Sequence, residues 1–475
     1  MSKRPVVALT GARGYIGQNL LKKIEEKADV IALSRNGDNY EDSEHVKWRS
    51  CDLYSMADAE KALEGADIAV YLVHSMMPSA KLTQGSFEDM DVILADNFAQ
   101  AAKKQNVKRI VYLTGIIPKD NEPLSRHLRS RLEVENILRA YGTPVTAIRA
   151  GLIVGPKGSS FPILSKLVKR LPFMVLPKWT RMETQPIALP DVLNALDKGL
   201  QDENLANKSV DVGGPEVMTY WDMMLKTADV MGKNPKAIPF PFITVNLSRL
   251  WVSMVTGASK EIVYPLIESL KHPMIVQKEN YVEGVSNGQI SFEESAKEAL
   301  ESERQDGIRL KLPELPSMKQ DVRSVQRVSL PAGETADSTA LYYVEWLESF
   351  LNPWVRTTVD DEYCCRIGTS FSEKPLLELS YSKERSTTDR ALYYITGGLL
   401  TDSKKNTRGR LEFRKIPHKQ ELIIAIHEYM PSVPWFVYKY TQANAHLLIM
   451  MLFRHHLREK GYGNTHPPLK EENPL

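Results

Sequence analysis

Three glycines near the amino terminus carry the clearest chemistry in this 475-residue sequence. Gly11, Gly14 and Gly17 stand at G-x-x-G-x-x-G spacing within Thr10-Gly11-Ala12-Arg13-Gly14-Tyr15-Ile16-Gly17. The apolar run Pro5–Thr10 precedes them, and Ile16, Leu20 and Ile24 recur at helical spacing behind them. A strand, a turn free of Cβ atoms and a helix start form a cradle for a diphosphate. Backbone N–H groups can approach it closely, and the helix N-terminus adds about half a unit of positive charge. The loop Thr10, Gly11, Arg13, Gly14, Tyr15, Ile16 and Gly17 is therefore expected to hold the pyrophosphate of a dinucleotide.

The residues after the second apolar run bear on which dinucleotide. NAD-selective sites place an acid there to accept from the ribose 2′-hydroxyl. This sequence has Leu33-Ser34-Arg35 instead. A guanidinium suits a 2′-phosphate in fork geometry, and Arg13 is placed to reach the same group. Ser34, Arg35 and Arg13 thus favour NADP(H) over NAD(H). Asp52 and Leu53 follow the third run, where the adenine lies; Asp52 serves equally well as a cap for the next segment. His74 follows the fourth run, at the nicotinamide edge, as a pocket residue or a plain loop histidine.

These residues need a scaffold, and residues 5–150 describe one. Pro5–Thr10, Val30–Ser34, Val46–Cys51, Ile68–Val73, Arg109–Thr114 and Thr146–Ala150 read as short buried strands. Amphipathic helical patterns separate them, one through Phe87, Met90, Leu94, Phe98 and Ala101 and another over His127–Tyr141. The alternation predicts an α/β fold with a doubly wound parallel sheet. Six prolines from Pro156 to Pro190 break the next stretch into short pieces. Helices are expected at Thr219–Met231, Val245–Thr256, Lys260–Leu270 and Ser291–Ser302, as a helical cap over the sheet edge.

The polar stretch Glu303–Lys319 reads as a linker. Beyond it, candidate strands fall at Asp321–Ser329, Glu362–Thr369, Leu376–Lys383, Ala391–Leu400, Arg410–Lys415 and Leu422–Tyr429. Helices fit Ala340–Phe350 and Thr441–Leu457. This predicts an α+β domain, an antiparallel sheet with a long C-terminal helix. The domains are then 1–310, dinucleotide-binding with its substrate cap; 320–460, α+β; and 461–475, a flexible tail.

Composition narrows the classes. A formal charge of +2 gives no global argument for nucleic acid. Three cysteines make no disulfide framework, and no run is long and apolar enough for a spanning helix, so the expected address is the cytoplasm. His446, His455 and His456 lack the spacing and partners of a metal site. The basic run from Lys404 to Lys415 reads as a solvated hairpin. Pro434-Trp435-Phe436-Val437-Tyr438-Lys439-Tyr440 leads into the apolar stretch Leu447–Phe453. The favoured reading is a core helix; peripheral contact with a membrane interface is the other. Nothing fixes an oligomeric state.

Taken together, Thr10–Gly17, Ser34-Arg35, Cys51-Asp52-Leu53, Tyr71–Ser75, Val111–Gly115, His127–Glu135 and Thr146–Gly155 resemble the short-chain dehydrogenase/reductase (SDR) family. The likeness is to its atypical, NmrA-like NAD(P)H-binding branch and covers about residues 4–300. The resemblance implies a hydroxyl after the fifth strand, assigned to Thr114, and a Tyr-x-x-x-Lys pair on the following helix. Here those positions are His127 and Arg131. Histidine titrates nearer neutrality than tyrosine, so proton transfer stays chemically open, while Arg131 keeps a cation for the ribose. The C-terminal part loosely resembles the START-like (SRPBCC) helix-grip fold, which implies an apolar small molecule there. The leading expectation is an NADP-dependent oxidoreductase acting on a small apolar carbonyl or quinone. The alternatives are a non-catalytic NADPH sensor or assembly factor, and a lipid- or isoprenoid-handling protein with a regulatory dinucleotide domain.

Overall fold

The structure, a computed structural model, describes residues 4–75, 82–120, 122–158, 160–170, 173–234, 236–239, 244–305 and 321–459. The chain divides into two compact units, residues 1–78 with 91–312 and residues 79–90 with 313–475. Most of the expected linker and the whole tail after Gly461 lie outside the described residues.

The first unit is built on seven strands: β1 (Val6–Leu9), β2 (Asp29–Ser34), β3 (Val46–Ser50), β4 (Ile68–Tyr71), β6 (Arg109–Gly115), β7 (Val145–Ala150) and β8 (Ser209–Val212). Their order is β8-β7-β6-β4-β1-β2-β3, with every neighbouring pair parallel. The chain leaves β1 toward β2 and β3, then crosses back to β4 on its other side. That reversal makes the β1–β4 edge a switch point, where a crevice opens beyond the strand ends. Helices α1 (Tyr15–Ile24), α2 (Met56–Ala62), α3 (Phe87–Lys104) and α4 (Arg126–Arg139) fill the connections. Leu20 and Ile24 pack with Val7, Leu9 and Val30 in one apolar core. Each such side chain, fully buried, stabilises by ~1.5–3 kcal/mol. β8 escapes the apolar-run criterion because Asp211 interrupts it; that carboxylate is buried and accepts from Gln277 N at 3.0 Å.

The rest of the unit is more helical than the prolines imply. α5 (Phe161–Arg170) and α6 (Leu189–Gln201) both contain proline in their first turn, where the missing N–H costs nothing. α7 (Tyr220–Val230) starts on a Thr219–Asp222 capping box. α8 (Val245–Thr256), α9 (Lys260–Ser269) and α10 (Phe292–Gln305) follow, and α10 runs into the stretch read as linker.

The second unit holds an eight-stranded sheet. Its strands are β5 (Leu82–Gln84), β9 (Val322–Ser329), β10 (Val355–Val359), β11 (Cys365–Thr369), β12 (Ser372–Tyr381), β13 (Arg390–Gly397), β14 (Arg410–Lys415) and β15 (Glu421–Tyr429). The order is β10-β11-β12-β13-β14-β15-β9-β5. All pairs are antiparallel except β9 with β5. Helices α11 (Ala336–Phe350), α12 (Trp435–Tyr440) and α13 (Gln442–Glu459) complete the unit. Between sheet and helices the space is filled by Tyr343, Trp346, Phe413 and Phe453, with Phe453 edge-on to Tyr343 at 5.0 Å.

Two readings need correction here. The basic run is not wholly solvated: Arg410 and Arg414 are buried in β14, paired with Glu428 and Glu412. And α13 is not buried all round: Met450, Phe453 and Leu457 face the core, while Leu447, Leu448 and Met451 are exposed.

Glu412 gives the second unit an acid limit. Burial opposes its ionisation, but the guanidinium groups of Arg390 and Arg414 and the nearby His427 outweigh it and hold the carboxyl well below the usual carboxylate range. A carboxyl depressed in the folded state stabilises above its unfolded pKa near 4.5 and loses that contribution as pH falls. Glu412→Gln should therefore lower the unfolding temperature at pH 7. The gap between variant and parent should shrink below pH ~4. Thermal unfolding across pH checks this; a gap independent of pH would exclude the assignment.

Candidate dinucleotide site

The glycine loop joins β1 to α1. Gly11 takes φ +64°, a left-handed conformation that favours glycine. A Cβ on Gly17 would clash with the Gly11 carbonyl oxygen and lie 2.8 Å from its carbon. Gly14 N donates to Gly11 O at 2.8 Å, closing the turn. Gly14 is the N-cap of α1; no side chain caps it, and the first turn carries no acid. A cradle of bare backbone N–H groups at the end of a ten-residue helix fits a pyrophosphate.

Thr10 does not face outward. Its buried hydroxyl donates to Val70 O and accepts from Leu72 N, both at 2.9 Å, tying the loop to β4. Tyr15 lies over Gly155, where a Cβ would meet its ring, and burial pushes its phenol up to about 12. Ile16 is half-buried against the core of the unit.

Arg13 projects from the loop and stacks on Tyr40, 4.6 Å above the ring centre. Tyr40 in turn packs on Trp48 at 4.7 Å. With Gln18 and Lys22 these side chains line a pocket of about 250 Å³. Ser34 closes β2, and Arg35 beyond it is exposed. The Tyr40–Trp48 shelf went unnoticed in sequence because its residues belong to separate segments with no shared period. Asp52 turns the chain after β3, its carboxylate accepting from Tyr54 N at 3.2 Å, and Leu53 is buried with its carbonyl held by Asn97.

Past β4 and β6 lies a buried polar cluster. His74 follows β4 and is exposed; Thr114 near the end of β6 is buried. His127 and Arg131 share one face of α4, as i, i+4 spacing dictates. Burial, then the charge of Arg131, then His74 push the His127 imidazole well below its usual value. These three residues are thus brought together. Arg131 is buried and its Nη2 reaches Asp91 Oδ2 on α3 at 3.3 Å. Asp91 also accepts from Ser75 N at 2.7 Å and from Ser130 Oγ at 3.2 Å. Tyr71 and Tyr112, fully buried, flank the pair, with their phenols pushed up by burial.

A second network fixes His127. Its Nδ1 is 3.3 Å from Ser269 Oγ at the end of α9. Ser269 donates its only proton to Pro265 O at 2.9 Å, so it accepts from the histidine, and neutral His127 carries its hydrogen on Nδ1. Ser125 Oγ joins Ser269 Oγ at 2.9 Å, and Ser125 N donates to His272 Nε2 at 3.2 Å. His272 Nδ1 completes the chain on Asp120 at 2.7 Å. With its hydrogen on Nδ1, neutral His127 presents a lone pair rather than an acid at Nε2. Asp91, Ser269 and His272 were invisible in sequence, since their partners on α4 and its N-cap lie 39 to 147 residues away. Among the described residues, no group of three or more His, Cys, Asp or Glu is placed to hold a metal ion.

Residues 11–166 match a family model described as NAD(P)H-binding. The auxiliary protein GraX of Staphylococcus aureus is 38% identical over 143 residues, 30% of this chain and 43% of GraX. The mitochondrial NADH dehydrogenase (ubiquinone) 1 alpha subcomplex subunit 9 of Arabidopsis thaliana is 24% identical over 250 residues, 50% of this chain and 60% of that one. Sanguinarine reductase of Eschscholzia californica is 25% identical over 255 residues, 45% of this chain and 90% of that enzyme. The chain thus spans less than two thirds of the first two relatives. With this loop, this strand order and this match, residues 11–166 carry an NAD(P)H-binding domain on a Rossmann-type parallel sheet.

Proposed function

We propose that the chain is an NADP(H)-preferring reductase for a small apolar carbonyl or quinone-like acceptor. The observations that carry the cofactor choice are Arg13, held over Tyr40, and Ser34-Arg35 standing at the end of β2 where an NAD site would have an acid. When bound, NADPH supplies a hydride. The sequence likeness to a reductase supports the direction. Gly11, Gly14, Gly17, Tyr15 and Ile16 hold the pyrophosphate, Thr10 shapes their loop, Ser34, Arg35 and Arg13 take the 2′-phosphate, and Asp52 with Leu53 borders the adenine. Thr114, His127 and His74 border the reacting end, and the Asp91–Arg131 pair supports it from beneath.

The state of His127 favours quinones within that class. A carbonyl needs a proton as it takes the hydride, and neutral His127 offers only a lone pair at Nε2. A quinone takes a hydride to give a hydroquinone anion, which gains its proton from water. The same observation supports a second reading, a sensor that binds NADPH without turnover, because an atypical pair on this fold carries no guarantee of chemistry.

Calorimetry at fixed ionic strength should show NADPH binding more tightly than NADH. Arg13→Ala and Arg35→Ala should each cut the preference roughly tenfold. Equal affinities in the parent protein would remove the NADP assignment. Quinones and aldehydes are then mixed with protein and NADPH, and loss of cofactor absorbance is followed. Quinones are expected to react faster than aldehydes. Intact binding with no oxidation would establish the sensor instead, and unchanged turnover in His127→Phe would exclude that residue from the reaction.

A further inference from the structure

The segment between Glu428 and Glu459 contains no acidic residue but carries Lys439, Arg454 and Arg458. It also carries Phe436, Tyr440, Leu447, Leu448 and Met451, each between 41% and 72% exposed. At 100° per residue, positions 447, 448, 451, 455 and 458 fall within an arc of about 100° on α13. The opposite side of the same helix, Met450, Phe453 and Leu457, is committed to the core of the second unit. Lys439 and Arg458 are exposed beside the stripe, with Lys439 Nζ 5.6 Å from the Tyr440 ring centre.

We propose that α12 and the outer face of α13 form a docking surface for an anionic lipid bilayer, with α13 lying in the plane of the headgroups. The combination of Leu and Met, Phe and Tyr, and flanking Lys and Arg matches the two forces that bind such helices. Apolar area enters the acyl boundary, and basic side chains meet anionic headgroups. Among the described residues no helix is long and apolar enough to cross a membrane, so the contact is superficial. Charge decides against a second copy of the chain as occupant. A two-fold interface would bring this stripe, where Lys439, Arg454 and Arg458 outnumber the single acid Glu459 that pairs with His455, against itself and place a net like charge together.

Co-sedimentation of the full chain with vesicles tests the surface. Vesicles of phosphatidylcholine mixed with phosphatidylglycerol should pellet the protein, and phosphatidylcholine alone should do so at least tenfold more weakly. Binding should fall with added salt. Leu448→Glu with Met451→Glu should reduce binding at least tenfold while leaving NADPH affinity and unfolding temperature unchanged. Lys439→Ala with Arg458→Ala should lower only the part that depends on anionic lipid. Absence of binding to the mixed vesicles, equal binding to both compositions, or full binding by the double glutamate variant would overturn the proposal. So would a dimer, seen by light scattering, that the glutamate variant dissolves without any vesicle binding.

Discussion

Gly17→Ala is expected to weaken NADPH binding roughly 10- to 100-fold. The new methyl group would clash with the Gly11 carbonyl oxygen and crowd Ala12 Cα at 3.0 Å. Neither is a flexible side chain, so the loop or the first turn of α1 must move. Overpacking of this kind costs about 1–3 kcal/mol, and each 1.4 kcal/mol is about tenfold in affinity. The displaced groups are the ones that form the phosphate cradle, so the cost falls on binding. Calorimetry with NADPH reads it directly, and a thermal melt without cofactor separates it from general unfolding. Affinity equal to the parent would show that the cradle is not where the pyrophosphate binds.

Asp91→Ala is expected to destabilise the first unit by about 3–5 kcal/mol, the usual cost of stripping one partner from a buried ion pair. Asp91 is 1% exposed and Arg131 6% exposed, so the orphaned guanidinium has little access to water. Ser75 N and Ser130 Oγ lose their acceptor in the same step. At about 2–4 °C per kcal/mol for a domain of this size, the unfolding temperature should fall roughly 6–20 °C. Arg131→Met in the Asp91→Ala background should recover part of the loss, since it removes the unpaired charge. A fall of less than ~2 °C in the single variant would mean the pair carries no structural weight. Under the proposed function the pair would also bear on the reaction. Where the resembling family has a lysine for the ribose, this chain has an arginine whose Nη2 is committed to Asp91.

The legible parts of this protein are those with local causes. Short apolar runs and turn glycines placed six of the seven parallel strands and the glycine turn into α1, because a strand buried on both faces and a turn without Cβ atoms each leave a mark in consecutive residues. β8 failed that test through one residue, Asp211, whose Oδ2 accepts from Gln277 and Asn280 on a distant loop. Prolines misled at α5 and α6, since a helix tolerates them in its first turn. The supports of the site were illegible for another reason. Asp91 sits in an amphipathic helix that would look the same with a solvated acid. Ser269 and His272 acquire meaning only when α9 meets α4. The outer face of α13 was hidden too: composition makes the helix apolar all round, and only packing reveals which half is used.

The strand β5 has a consequence for how this chain can be divided. It lies near residue 83, yet it pairs in parallel with β9 near residue 323, Leu82 opposite Val322 and Gln84 opposite Ser324. Asp89 then locks to Arg327 at 2.6 Å within the same unit. The two halves are therefore not beads on a string that one cleavage in the linker could part. Released alone, the carboxyl-terminal half would leave β9 as an open edge, a template for aggregation. A gene fusion that exchanged it for another module would strand residues 79–90 without a sheet. Whatever ancestry joined the halves, they now constrain each other's inheritance through three residues of backbone.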